Sequence, residues 1–311
     1  MKNTNDMSHV NFVSPTESEN DILTRLDDSY TKISEMSFAQ RMFINALILR
    51  NKPKKLLEIG VSAGGSSIVI LNAIKCFPES RLFSIDLHDT WYRDPDCKTG
   101  YYVDYYPHLK EKWKLFTGGL ALNFIDEIAQ DGRGVDFCLI DTVHCNPGEI
   151  LDILMVLPFM EDDAIIVFHD VSLHTYYFLD GKIALGQKSI TNNLLMSSIT
   201  GEKYLMNSME GTNFPNIAGI KINKLTKENV FEIFNLLMLK WSYMPTEHQE
   251  KEIVSHVAKH YDEYYVKYLK DIFEYQKKVM VYGKTHKLKE MIKKIIGVNN
   301  FAKIKNIIRK I

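Results

Sequence analysis

A few short stretches of this 311-residue chain hold the residue types that bind and react. The richest is Glu58-Ile59-Gly60-Val61-Ser62-Ala63-Gly64-Gly65-Ser66; after it come Asp86, Gly118-Gly119, Asp141, His144 and His169-Asp170. Gly60 and Gly64 can take backbone angles and close approaches barred to other residues, so their loop can pass tightly under a ligand at a helix N-terminus. Asp86 follows Glu58 by 28 positions and, at a strand end, can accept both hydrogen bonds of a ribose diol. Glycine loop and acid together form a nucleoside-binding signature. Asp141 and Asp170 are acids that would repel each other at adjacent strand ends unless an ion or hydrogen bonds intervene.

These residues are useful only if the chain brings them to one place. Short apolar runs over 55–59, 82–85, 115–116, 135–140 and 164–168 read as buried strands. Helical stretches over 66–74, 108–112, 122–129 and 148–160 lie between them. The alternation predicts an α/β, doubly wound, mostly parallel sheet covered on both faces. Runs over 203–207 and 217–222 have no room for a crossover helix and should form an antiparallel C-terminal hairpin closing one edge. In such a sheet ligands sit beyond the carboxyl ends of the strands, where every residue named above falls. Residues 1–20 read as a flexible arm, 21–50 as N-terminal helices, 51–223 as the ligand-binding domain, 224–280 as a helical extension and 281–311 as a basic amphipathic tail.

The loop also discriminates between nucleosides. A dinucleotide site requires G-x-G-x-x-G, yet Ser62 stands at its second glycine and Glu58 puts an acid near the place of a pyrophosphate. A ribose-bearing cofactor with a cationic sulfonium and amino acid suits that mouth better. The strings 56–66, Ser84-Ile85-Asp86, 135–144 and 165–170 resemble the class I S-adenosylmethionine-dependent methyltransferases. The nearest branch is that of the small-molecule O-methyltransferases acting on catechols, macrolide sugars and cephalosporin intermediates. The resemblance covers about residues 35–223 and implies a Rossmann-like, seven-stranded sheet. It further implies that Gly60, Ser62 and Gly64 pass under the methionine part, that Glu58 belongs to the cofactor site, that Asp86 holds the ribose, that Gly118 and Gly119 flank the adenine, and that Asp141 faces the transferring methyl.

Two routes to deprotonating an acceptor are open. In one, a divalent ion such as magnesium is held by Asp141 and Asp170 with His169 or Asn192 completing the set, and lowers the acceptor's pKa. In the other, His144 or His169 is the general base. Trp91, Tyr92, Tyr101, Tyr102, Tyr105 and Tyr106, interleaved with His88, Asp89, Asp94 and Asp96, can provide ring faces and acceptors for a sugar, glycan or polyol. The same tyrosines can equally pack a surface helix and lid. The expected partner is thus a small-molecule or saccharide acceptor.

Bulk properties exclude other classes. With 45% hydrophobic and 25% charged residues the composition is that of a soluble globular chain. No apolar run reaches the roughly 18 residues of a membrane span. Four cysteines without a C-x-x-C pair suggest neither a disulfide framework nor a zinc ribbon, and a reducing cytoplasm fits. The net charge of −1 conceals a tail, from Gln276 on, with eleven basic residues and the single acid Glu290, so the rest is strongly acidic. No nucleic-acid partner is expected, since no recognition motif accompanies the charge. The tail can lie on an anionic membrane face, dock on a protein or cover its own domain, and self-association stays open. Two other readings stand beside methyl transfer: a nicotinamide-dinucleotide oxidoreductase on the same sheet, and a non-catalytic scaffold anchored by its tail.

Overall fold

The computed structural model describes residues 10–21, 36–207 and 215–296. Ten strands are present among them: β1 (Val10–Val13), β2 (Lys55–Ile59), β3 (Arg81–Asp86), β4 (Thr90–Trp91), β5 (Asp94–Lys98), β6 (Trp113–Thr117), β7 (Val135–Ile140), β8 (Met160–His169), β9 (Glu202–Met206) and β10 (Ile217–Lys221). Eight form one sheet in the order β1-β9-β10-β8-β7-β2-β3-β6, and β4 and β5 form a separate ribbon. Within the large sheet only β10 runs against its neighbours.

The period-2 alternation of the central strands divides the core into two layers. From β2 and β7, Leu57, Ile59, Cys138 and Ile140 point to one face. Leu56, Phe137 and Leu139 point to the other. The second face is covered by helices Phe38–Asn51 and Gly65–Ile74. Ser37 starts the former helix through a capping box with Gln40, and Lys52 ends it in a left-handed conformation just before Pro53. The first face is covered by helices Gly148–Val156, Thr191–Ser198, Phe231–Leu236, Glu247–His260 and Glu263–Ile296.

Several expectations change. The sheet has eight strands where seven were expected, because Val10–Val13 pairs in parallel with Lys203–Met206. Residues 10–21 are therefore strand and helix, with Glu19 accepting from both Arg50 Nε and Nη2 at 3.0 Å, and are not a loose arm. The C-terminal hairpin is antiparallel as expected, but β10 lies inside the sheet and β1 forms the edge. Helices Leu173–Leu179, Ile183–Lys188 and Thr191–Ser198 fill the β8–β9 connection, which the sequence reading left without elements. The helix beginning at the Thr246–Gln249 capping box breaks at Tyr261, whose backbone is extended. The Tyr261 hydroxyl donates to the Leu154 carbonyl at 2.6 Å, anchoring that break on the domain. Residues after 224 share the core through Trp241, Ile253, Val257, Leu269, Ile272 and Phe273. Burial of a side chain such as Phe273 stabilises by roughly 2–3 kcal/mol. The expected arm before residue 10 and the tail after 296 lie outside the described residues, as do the side chains that would define the tail's apolar face.

Candidate active site

The loop after β2 is built by close backbone approach. Gly60 has φ +89°, and a Cβ there would lie 1.8 Å from the Asp141 carbonyl oxygen, so no side chain fits. The Gly60 amide donates to Ile85 O, and the Asp141 amide to Ile59 O, each at 2.9 Å, tying the loop to the ends of β3 and β7. Gly64, at φ +97°, caps helix Gly65–Ile74. Ser62 is also left-handed at φ 54°, an angle that costs a non-glycine residue about 1 kcal/mol. Asp86 reinforces the turn: its Oδ2 accepts from the Val61 and Ser62 amides at 2.9 and 3.0 Å, and its Oδ1 from the His88 amide at 2.9 Å.

Beside this loop is a cavity of about 670 Å³, a size that suits a small-molecule ligand. Gly60, Ser62, Asp86, Gly119, Asp141 and His144 all line it. Three expected cofactor residues do not. Glu58 is fully buried, its carboxylate accepting from the hydroxyls of Ser66, Ser67 and Ser84. Burial pushes it up to about 7 even though the three hydroxyls favour the charged form, so Glu58 supports the loop from below. Gly64 serves as the helix cap, and the Gly118 amide donates to the Asp86 carbonyl at 3.1 Å; neither reaches the lining.

At the ends of β7 and β8 the acids and histidines converge. His144 Nε2 lies 3.2 Å from Asp170 Oδ2 and 3.6 Å from Asp141 Oδ1. One ligand atom from each of Asp141, His144 and Asp170 fall within 4.8 Å of one another, a donor set that fits a divalent cation. His144 thus joins the two acids, and His169, the third ligand expected from the sequence, also keeps its Nδ1 near both, 3.2 Å from Asp141 Oδ1 and 3.6 Å from Asp170 Oδ1. His169 is buried, and it does not line the cavity. Nor does the expected alternative ligand Asn192, whose Nδ2 donates to the His169 carbonyl at 2.7 Å and so fixes the strand end. Burial opposes charge on both imidazoles. The Glu149 carboxylate with the charges of Asp141 and Asp170 nevertheless raises His144 to about 9, and Asp141 with Asp170 raises His169 to about 9. Burial would likewise raise Asp141, but the charge and hydrogen bond of His169, with the charge of His144, hold it below the usual carboxylate range.

The aromatic segment divides. Tyr92, Thr90 and His88 line the cavity. Trp91 packs on Tyr101, and buried Tyr102 packs against Tyr105 and Tyr106, as the packing alternative anticipated. Asp89, Asp94 and Asp96 lie away from the lining. The sequence reading missed Glu149 and Asp152, two acids buried in helix Gly148–Val156, and Tyr243, Gln249 and Ile253, which bring the C-terminal helices to the cavity. Two acids three apart in the run Gly-Glu-Ile-Leu-Asp-Ile-Leu-Met-Val were a readable signal, since buried charge requires a reason. No local signal marked the last three residues.

Residues 57–171 match the family model of a methyltransferase domain. No curated protein matches the chain. Among solved structures, the O-methyltransferase TomG of tomaymycin synthesis from Streptomyces achromogenes, in complex with SAM, is 16% identical, with 66% of this chain and 96% of that one covered and a TM-score of 0.47. An O-methyltransferase from Bacillus cereus in complex with SAH is 15% identical over 67% of this chain and 93% of its own, with a TM-score of 0.45. MycE of the mycinamycin pathway, in complex with Mg, SAH and mycinamycin VI, is 16% identical over 66% of this chain and 54% of its own, with a TM-score of 0.41. The match over residues 57–171 to a methyltransferase domain favours methyl transfer over the dinucleotide alternative.

Proposed function

We propose that this protein passes the methyl group of S-adenosylmethionine to a hydroxyl oxygen of a small hydroxylated acceptor, a sugar or polyol being the class that the cavity suits. One observation carries the reading: the glycine loop with Asp86 and the pair Asp141 and His144 face a single cavity. On one side Gly60, Ser62 and Asp86 take the methionine and ribose parts, with Gly119 beside the adenine. On the other, Asp141 and His144 meet the acceptor, and the rings of Tyr92 and Tyr243 cover its apolar face.

Transfer is an in-line displacement in which the acceptor oxygen bonds the methyl carbon as the carbon–sulfur bond breaks and sulfur keeps the electron pair. The hydroxyl proton must leave to a nearby base. With its pKa raised to about 9, His144 holds its own proton at neutral pH before the cofactor binds. A positive charge nearby acts the other way: the cofactor's sulfonium disfavours imidazolium, freeing His144 Nε2 to act as base. Asp141, His144 and Asp170 would hold a divalent cation, whose contribution there is to lower the pKa of a bound hydroxyl. Asn216 Nδ2, donating to Asp170 Oδ1 at 2.5 Å, keeps that carboxylate turned toward the cluster.

Calorimetric titration with S-adenosylhomocysteine tests the reading, with NAD as control and each run repeated with EDTA or magnesium. We expect binding of S-adenosylhomocysteine alone, weakened at least tenfold by Asp86→Ala. A folded sample that binds neither ligand would return the scaffold alternative to first place.

A further inference from the structure

Behind His144, Glu149 occupies a position that methyl transfer by Asp141 and His144 does not account for. Its side chain is fully buried in the first turn of helix Gly148–Val156. The His144 backbone amide donates to Oε1, and the same oxygen lies 3.5 Å from His144 Nδ1, an ion-pair distance at which the buried Nδ1 makes no hydrogen bond. The other oxygen, Oε2, is buried with no hydrogen-bond partner. His144 itself sits at φ 51°, left-handed backbone that requires support in a residue with a side chain.

A carboxylate here is the expensive choice. An amide of the same shape could accept from the His144 amide equally well, and burying a charge costs far more than burying an amide. The charge also acts unfavourably on its neighbour, since after burial it is the next cause holding the buried Asp152 up at about 7. The helix N-terminus favours negative charge but would do so for a solvent-facing acid as well. The group that gains from the charge is the imidazole, whose Nδ1 faces Glu149 while its Nε2 faces Asp141 and Asp170.

We infer that Glu149 is a positioning residue that holds His144 by its backbone amide and, through the carboxylate charge beside Nδ1, keeps the proton on Nδ1 so that the Nε2 lone pair is presented to the acceptor or a cation. This follows the general rule that the far nitrogen of a working histidine is fixed by a carboxylate or carbonyl behind it. It rests on the reading of His144 as part of the reactive cluster.

The test is the tautomer of neutral His144, read from nitrogen-15 shifts of histidine-labelled protein between pH 7 and 10 and assigned by loss of the signal in His144→Asn. We expect the Nδ1–H form in the wild type. In Glu149→Gln the resonances should move toward the averaged pattern of a freely exchanging imidazole while the melting temperature stays the same or rises. An Nε2–H tautomer in the wild type would overturn the inference, as would an unchanged His144 spectrum in the variant. Should Glu149→Gln not fold, the wild-type tautomer decides alone. S-adenosylhomocysteine titration of the same samples separates the two readings. Retained binding with the wrong tautomer sinks only the role of Glu149; the right tautomer without binding sinks only the methyl-transfer assignment.

Discussion

Glu58 shows how a motif residue can be well recognised and misassigned. Its place before the glycines suggested contact with the cofactor, yet three serine hydroxyls enclose its carboxylate and the cavity does not reach it. With a folded-state pKa of about 7 against an ordinary 4.5, the native state holds this proton more tightly than the unfolded chain. Its contribution to stability is therefore largest below about pH 4.5 and is lost as the pH rises toward 7, by an amount of at most about 3 kcal/mol. Glu58→Gln should remove that slope, so urea unfolding at pH 5 and 8 should give a smaller pH difference for the variant than for the wild type. Parallel stability curves would show that the hydroxyls fully compensate burial. Asp86 is the contrasting case: it does line the cavity, while its oxygens also hold the Val61, Ser62 and His88 amides. Asp86→Ala should therefore loosen the loop as well as weaken cofactor binding.

Among the elements, the C-terminal helices depend on a few polar anchors. Fully buried Gln276 accepts from the Trp241 amide at 3.2 Å and donates to the carbonyls of Leu237 and Leu239 at 3.0 and 2.8 Å. It fastens the last helix to the irregular turn after Phe231–Leu236. Gln276→Ala leaves these backbone groups unpaired and should destabilise by roughly 2–4 kcal/mol, seen as a lower denaturant midpoint with secondary structure largely kept. A loss below about 0.5 kcal/mol would mean that water replaces the amide. The elements also show where periodicity succeeds. Buried parallel strands such as Lys55–Ile59 and Val135–Ile140 were readable with their ends, because continuous apolar runs of that length suit little else. Val10–Val13 was not, because four residues in a polar stretch become a strand only by pairing with Lys203–Met206, almost two hundred positions away.

For the whole molecule, the cavity belongs to both ends of the fold. The sheet supplies the side proposed for the cofactor, and Tyr243, Pro245, Gln249 and Ile253 line the cavity from the C-terminal part of the chain. Tyr243→Ala should thus raise the acceptor's KM about tenfold or more while changing the dissociation constant for S-adenosylhomocysteine less than twofold, measured by steady-state kinetics and calorimetry. Equal loss of both would place Tyr243 on the cofactor. Among the described residues no helix is long and apolar enough to cross a membrane.

What the sequence determined by itself is what local chemistry and periodicity dictate: the alternating strands and helices, the glycine loop that only small residues can form, and the acids ending successive strands. Those features sufficed to name the fold and to propose the cofactor. Tertiary structure alone decided which neighbours at the strand ends share a space. Adjacent in sequence, His169 and Asp170 play different parts: buried His169 sets its Nδ1 3.2 Å from Asp141 and 3.6 Å from Asp170 without lining the cavity, while Asp170 also meets His144 Nε2. Glu149 and Tyr243 reach the site because side-chain direction depends on how helices dock on the sheet, through long-range packing that leaves no period in the chain.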